Sequence, residues 1–162
     1  MANGFTRKEA MALTGITSGK ISYWDETGLV SPIKHGNPKK PTVIYSWQQI
    51  LKLKLIDRLR EELSLQEIRN VVDFLEERNY NQSLFDCKLF LINSELFLVE
   101  NDEQLGKLVI KASGENKGQI MVRELEPFKT ILAGLKKEAV ANHVLDFEKR
   151  IKGTPLELAL AS

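Results

Sequence analysis

The chain has 162 residues, of which 43% are hydrophobic, 28% charged and 7% aromatic, and its formal net charge is +1. This composition is typical of a globular protein with one domain or two small ones. The sequence has neither a run of about 18 apolar residues nor an apolar leader, so we expect neither a membrane protein nor a secreted one. A single cysteine, Cys87, argues against a disulfide framework, and we expect a cytoplasmic protein.

The charge is divided unevenly along the chain. Residues 1–60 carry ten basic and four acidic side chains, a net charge of +6, whereas residues 61–162 carry 13 basic and 18 acidic ones, a net charge of −5. A basic segment favours contact with a polyanion such as nucleic acid. The alternative is an uneven placement of solvated charges without a partner.

The first residues predict two short helices joined by a turn. Thr6 and Glu9 have the spacing of a capping box, and Gly15 suits the left-handed end of the first helix. Thr17 or Ser18 can cap a second helix over residues 19–27. Two short helices around a glycine-containing turn are typical of a helix-turn-helix.

A β-hairpin and two longer helices are predicted next. Two short β-type runs, residues 29–33 and 42–45, flank a loop rich in Pro, Gly and Asn that carries basic side chains. Ser46 and Ser64 each begin a further capping box, which predicts one helix to about residue 62 and another after residue 64.

The second half predicts a small antiparallel sheet and more helix. Residues 88–93 and 95–100 form one predicted hairpin, and residues 106–112 and 118–125 form another around a turn at 113–117. Helices are predicted over 127–137 and 139–151, ending at Gly153-Thr154-Pro155, and the last residues either dock or fray. The predicted fold class is α+β, with a winged helix-turn-helix DNA-binding domain over 1–79 and a small α/β dimerisation domain over 80–162.

Several sequence blocks also resemble the MerR-type transcription regulators. The matching blocks are residues 5–9, 13–16, 22–32, 45–46, 55–60 and 63–69, in the family's order and spanning roughly residues 4–76. The resemblance implies that the second helix enters the major groove of DNA while the hairpin lies along the backbone. It also implies a homodimer that reads two half-sites. The short chain is similar to the MerR-type repressors that accompany CRISPR-associated transposons.

The resemblance, with the exposed polar positions, gives a set of expected DNA contacts. They are Thr6, Arg7, Thr17, Ser18, Lys20, Ser22, Tyr23, Lys34, Lys39, Lys40 and Tyr45. Two positions depart from the family pattern, because Ser22 and Val43 stand where the family usually has arginine. Each departure removes a bidentate donor to phosphate or base, so base preference does not transfer to this chain.

The rest of the chain departs from the family's long dimerising helix and carries no recognisable cofactor or metal motif. Cys87, His35 and His143 lack neighbours at ligand spacing, and no nucleophile–base arrangement is present, so we expect no metal, no cofactor and no enzymatic activity. The sequence therefore predicts a homodimeric, sequence-specific DNA-binding regulator, most simply a repressor, because repression requires only occupancy of promoter DNA. An adaptor that recruits a protein partner and an effector-responsive activator are the alternatives.

Overall fold

The fold is α+β, as predicted, in a computed structural model that describes residues 4–81, 83–115 and 119–161. The N-terminal elements are β1 (Phe5–Thr6), α1 (Arg7–Thr14), α2 (Ser18–Glu26), β2 (Ile33–His35), β3 (Thr42–Tyr45), α3 (Trp47–Leu59) and α4 (Leu65–Glu77). The antiparallel order β1-β3-β2 pairs Phe5 with Tyr45 and Ile33 with Ile44. The predicted helix pair and following helices are confirmed, and so is the hairpin, although its first strand is β2 and not the predicted residues 29–33.

Local capping explains where these helices begin and end. All three predicted capping boxes are present, at the starts of α1, α3 and α4. Thr17, one of the two candidate caps, accepts a hydrogen bond from the backbone N–H of Lys20 and so begins α2. Gly15 ends α1 with φ +77°, a left-handed conformation that glycine adopts without a steric penalty.

The second half contains a helical piece, a three-stranded sheet and five further helices within the described residues. They are α5 (Ser83–Asp86), β4 (Lys88–Ile92), β5 (Glu95–Val99), α6 (Asp102–Glu115), β6 (Val122–Glu124), α7 (Phe128–Leu132), α8 (Gly134–Ala141), α9 (Phe147–Ile151) and α10 (Pro155–Leu160). The strand order is β5-β4-β6, antiparallel throughout. The predicted hairpin around Asn93 and Ser94 is confirmed, and both residues have positive φ as its tight turn requires.

The predicted strand over residues 106–112 is wrong, because this segment lies in α6. Asn101 Oδ1 accepts a hydrogen bond from the N–H of Gln104 at 2.8 Å, and acidic residues fill the first turn. The apolar residues recur at helical spacing, at positions 105, 108, 109 and 112. The adjacent β-branched Val109 and Ile110 suggested a strand. The second predicted strand shortens to β6. Residues 113–115 of the predicted turn belong to α6, and its residues 116 and 117 lie outside the described residues, as does residue 118 of the predicted strand.

The C-terminal helices are shorter than predicted. The helix predicted over 139–151 is divided, because α8 ends at Ala141 and α9 starts only at Phe147. Between them His143 and Asp146 adopt positive φ, which interrupts the helix. The last residues dock: Thr154 caps α10, and Leu156 is fully buried.

The apolar core continues across the predicted boundary between residues 79 and 80. Helix α8 packs against α1, and α7 and α10 pack against α3. One cluster of buried side chains extends from Phe5 to Leu160. The helices of the second half therefore support the helix pair at the N-terminus, and the division into two domains stays a prediction.

Candidate DNA interface

The first turn of α2 presents a polar edge to solvent. Thr17, Ser18 and Lys20 are exposed, whereas Ile21 and Trp24 are buried as predicted. The first N–H groups of a helix have no partner within the helix, and they carry a partial positive charge that favours anions. This edge is therefore suited to the phosphates and base edges of a nucleic acid.

Tyr23 lies farther along the same helix and is half exposed. Its side chain is 47% exposed, and its ring meets the Trp24 ring edge-on with the ring centroids 5.0 Å apart. Packing on Trp24 orders the Tyr23 ring, while the phenol remains available to a partner.

The Arg7 side chain joins α1 to α2. Its Nη2 atom lies 2.7 Å from Ser18 Oγ, 3.0 Å from the Ser18 carbonyl oxygen and 3.0 Å from Ser22 Oγ. Three of the predicted contact residues, Arg7, Ser18 and Ser22, thus form one hydrogen-bonded group, which we call the Arg7 cluster.

The start of α1 is held in place by the far end of the chain. Thr6 is exposed, and its hydroxyl accepts a hydrogen bond from the N–H of Glu9 at 3.1 Å. Arg150 of α9 donates to Glu9 Oε1 at 2.7 Å and to the Gly4 carbonyl at 3.3 Å. Burial raises the pKa of Glu9, but the hydrogen bonds from Arg150 and Thr6 outweigh it and lower the pKa.

The hairpin loop, residues 36–41, is the wing, and it exposes two cations. Lys39 and Lys40 are both exposed, and the loop is ordered by the N–H of Lys39, which donates to Asn37 Oδ1 at 3.0 Å. Lys34 differs from them, because its Nζ atom pairs with Asp25 Oδ2 of α2 at 2.6 Å. Lys34 therefore joins the strand before the wing to α2.

Tyr45 is the predicted contact residue whose position conflicts with that role. Its side chain is fully buried, so its hydroxyl does not reach the surface where DNA would bind. Tyr45 pairs with Phe5 in the small sheet beneath the helix pair. The family pattern placed Tyr45 in the correct strand, but burial decides its role.

Arg60 is an exposed cation that the sequence interpretation left out. It lines a cleft of about 320 Å³ between α2 and the turn that joins α3 to α4. The lining residues are Gly19, Lys20, Tyr23, Trp24, Arg60, Leu63, Leu65 and Ile68. A basic residue next to a helix–helix turn is a weak signal in sequence, and only the fold brings Arg60 beside Lys20.

A buried ion pair fixes that turn against the C-terminal sheet. Arg123 of β6 pairs with Glu67 Oε2 and also donates to the Glu62 carbonyl oxygen at 2.9 Å. Ser64 N–H donates to Glu67 Oε1 at 3.0 Å, and the Ser94 hydroxyl donates to Oε2 at 2.9 Å. Burial raises the pKa of Glu67, but these hydrogen bonds prevail and lower the pKa to about 2.

A metal site and a membrane span are two other features that the described residues could form. Among the residues described, no group of three or more His, Cys, Asp or Glu side chains is arranged to hold a metal ion. Over the same part of the chain, no helix combines the length and the apolar composition that a membrane span requires.

The two short helices, the basic hairpin and the helix pair that follows define a winged helix-turn-helix domain. Residues 5–75 match the family model described as MerR HTH family regulatory protein, which confirms the predicted resemblance. Residues 5–75 therefore form a MerR-type HTH domain.

Curated relatives agree with this assignment. Uncharacterized HTH-type transcriptional regulators from Mycobacterium bovis and Mycobacterium tuberculosis are 31% identical to the chain over 113 residues. The alignment covers 68% of this chain and 50% of each relative, so the chain spans about half the length of the curated relatives it matches.

Proposed function

We propose that the protein is a sequence-specific DNA-binding transcription regulator that inserts α2 into the major groove. The observation that carries the proposal is the exposed first turn of α2, where Lys20 lines one cleft with Arg60, together with the two exposed cations of the wing. An α-helix fits the major groove, and winged domains place basic loops along the adjacent backbone.

The contact residues divide by chemistry. Lys20, Arg60 and the wing lysines Lys39 and Lys40 are cations suited to phosphates, which supply affinity without sequence information. Thr17 and Tyr23 are exposed polar groups suited to base edges or backbone oxygens. Thr6, at the start of α1, is suited to a phosphate, because its exposed side chain lies at a helix N-terminus.

The salt dependence of binding tests this proposal. Affinity of the full chain for duplex DNA flanking its own gene should fall steeply between about 50 and 200 mM salt, because phosphate contacts release counterions. An unrelated duplex of equal length is the control and should bind more weakly. A flat salt response, or equal affinity for both duplexes, would contradict the proposal.

We further propose that the protein acts as a homodimer through α6. None of residues 102–114 is buried within one chain, although α6 packs on β5. Ile110 is 73% exposed on the side of α6 away from the apolar positions 105, 108, 109 and 112. An unburied helix with an exposed isoleucine is suited to contact with another apolar surface.

The charge order of α6 favours a second copy as the partner. Asp102 and Glu103 occupy the first turn, whereas Lys107 and Lys111 lie farther along the helix. An antiparallel copy brings the acidic end of one helix towards the basic end of the other. A two-fold axis through this contact suits the reading of two half-sites. Sedimentation equilibrium of the full chain tests the dimer, and a monomer at micromolar concentration would contradict it.

The direction of regulation is proposed to be repression. Occupancy of promoter DNA by a bound dimer is sufficient to block transcription, and a reporter behind the DNA flanking its own gene should be less active when the protein is present. The exposed face of α6 also favours the alternative of an adaptor that recruits a different protein. A monomer that binds DNA would favour the adaptor.

A further inference from the structure

Polar side chains from α1, α2 and β3 lie near one another in the winged domain. In the Arg7 cluster the guanidinium of α1 reaches the first residue of α2, Ser18, and the residue one turn later, Ser22. The Tyr45 hydroxyl of β3 is buried, and no described residue lies within hydrogen-bonding geometry of it. Burial raises the pKa of Tyr45, and the charges of Arg7 and Asp25 act on it in opposite directions, so both lie near the hydroxyl.

Hydrogen bonding directs the Nη2 end of the Arg7 guanidinium into α2. The Nη2 atom of an arginine carries two hydrogens, and three oxygens of α2 lie within 3.0 Å of it. Both hydrogens are therefore directed into α2. Because the serines are four residues apart on one face of α2, the guanidinium fixes the rotation of that helix as well as its distance from α1.

Arg7 differs from the exposed cations in its burial. Arg7 is half-buried, whereas Lys20, in the first turn of α2, is exposed. Arg7 is thus placed to order α2 and Lys20 to meet a phosphate, although both carry the same charge.

We infer that Arg7 is a positioning residue that sets the rotation of α2 and thereby determines sequence preference, without contacting DNA phosphate itself. The inference rests on the proposed function. A helix rotated about its axis presents different side chains to the floor of the groove, while its cations remain close to the backbone. Loss of Arg7 therefore reduces specificity, and loss of Lys20 reduces electrostatic affinity.

The experiment compares Arg7→Gln with the matched control Lys20→Gln in the full chain. The probes are a short duplex that the wild-type protein selects from a random-sequence pool and an unrelated duplex, titrated between about 50 and 200 mM salt. We expect Arg7→Gln to weaken binding to the selected duplex about tenfold, with little effect on the unrelated duplex and an unchanged salt slope. Lys20→Gln should weaken both duplexes alike and reduce the salt slope by about one.

Two further variants separate hydrogen bonding from charge and folding. Arg7→Lys keeps the charge but lacks the forked donors, so it should share the loss of preference of Arg7→Gln. Ser22→Ala leaves the charge and the core intact and should lower the preference to a smaller extent. Amide hydrogen exchange of the hydrogen-bonded amides of α2, from Ile21 onwards, should rise in Arg7→Gln and remain unchanged in Lys20→Gln, a readout that does not depend on DNA.

The outcomes distinguish this inference from the proposed function. A wild-type chain that selects no duplex would overturn the proposed function itself. The role of Arg7 alone is overturned if Arg7→Gln reduces the salt slope as Lys20→Gln does, if it weakens both duplexes equally, or if Arg7→Lys behaves as wild type.

Discussion

The two halves of the molecule leave different surfaces uncovered. Residues 5–75 bury most of their apolar side chains and expose cations at α2, the wing and Arg60. The second half exposes an apolar side chain at the centre of α6, a helix in which none of residues 102–114 is buried. A surface of exposed cations suits a polyanion, and an unburied apolar helix suits a second protein surface. The first half therefore suits DNA, and the dimer contact that we propose lies in the second half.

The largest expected effect is on dimerisation through α6. Ile110→Asp places a charge in the proposed dimer contact and should raise the dimer dissociation constant at least about 100-fold, the effect of a residue central to an interface. Sedimentation equilibrium measures it. Val140→Asp is the matched control, because Val140 is 79% exposed but lies on α8. Dissociation of both variants, or of neither, would argue against α6.

The next effect concerns the junction between the halves. Glu67→Gln removes the charge that Arg123, Ser94 and Ser64 satisfy, and should lower the free energy of unfolding by about 2 kcal/mol at neutral pH. The folded-state pKa of about 2 lies below the ordinary 4.5, so this stabilisation is present above pH 4.5 and is lost as the pH falls towards 2.

Urea unfolding between pH 4.5 and 2 measures the stability that Glu67 contributes to this junction. The wild-type chain should lose stability between pH 4.5 and 2 more steeply than Glu67→Gln. Glu61→Gln, an exposed charge change close by, should follow the wild type. Identical pH profiles for the wild type and Glu67→Gln would show that the carboxylate contributes nothing to holding the sheet against α4.

A smaller effect is expected at the wing. Lys39→Ala combined with Lys40→Ala should weaken DNA binding about five- to tenfold for every sequence and reduce the salt slope by about two, one for each phosphate contact. Fluorescence anisotropy over a range of salt concentrations measures both quantities. Lys137→Ala combined with Lys152→Ala, which removes the same charge from exposed positions outside residues 5–75 and outside α6, should leave the slope unchanged. A change in sequence preference would mean that the wing reads bases.

The smallest effect is expected at the ion pair between Lys34 of β2 and Asp25 of α2. Asp25→Asn breaks the pair with Lys34 and should lower the free energy of unfolding by about 0.5 kcal/mol at low salt and less at high salt, because the Lys34 side chain is solvated. Glu26→Gln, its exposed neighbour, is the control. Urea unfolding at two salt concentrations measures the change. A loss of unfolding free energy as large as that of Glu67→Gln would contradict the prediction.

Sequence predicts the first half well because its signals are local. Each capping box involves residues three apart, and a left-handed glycine acts within one turn, so Thr6, Ser46 and Ser64 identify helix starts without knowledge of the fold. In α6 two local signals compete, since the β-branched pair at 109–110 favours a strand while the Asn101 cap favours a helix. Helical packing of 105, 108 and 109 on β5 decides between them.

The candidate interface was predictable only in part, because burial and long-range contacts decide the role of a side chain. Lys20, Lys39 and Lys40 are exposed as the pattern implied. Tyr45 carries the right residue type but lies in the core, and Arg60 reaches the α2 edge only through the packing of α3. Neither the burial of Tyr45 nor the placement of Arg60 is encoded in the few residues around it.

The contact of Arg150 with the first strand has a consequence for synthesis on the ribosome. Phe5 packs against Phe147 with ring centroids 5.8 Å apart, and Arg150 bonds Glu9 and the Gly4 carbonyl. Because Arg150 follows Glu9 by 141 residues, a nascent chain makes the helix pair well before the side chains that support it. The helix pair therefore gains its full support only after α9 has been synthesised, and fragments that end before α9 lack the contacts that hold α1 in place.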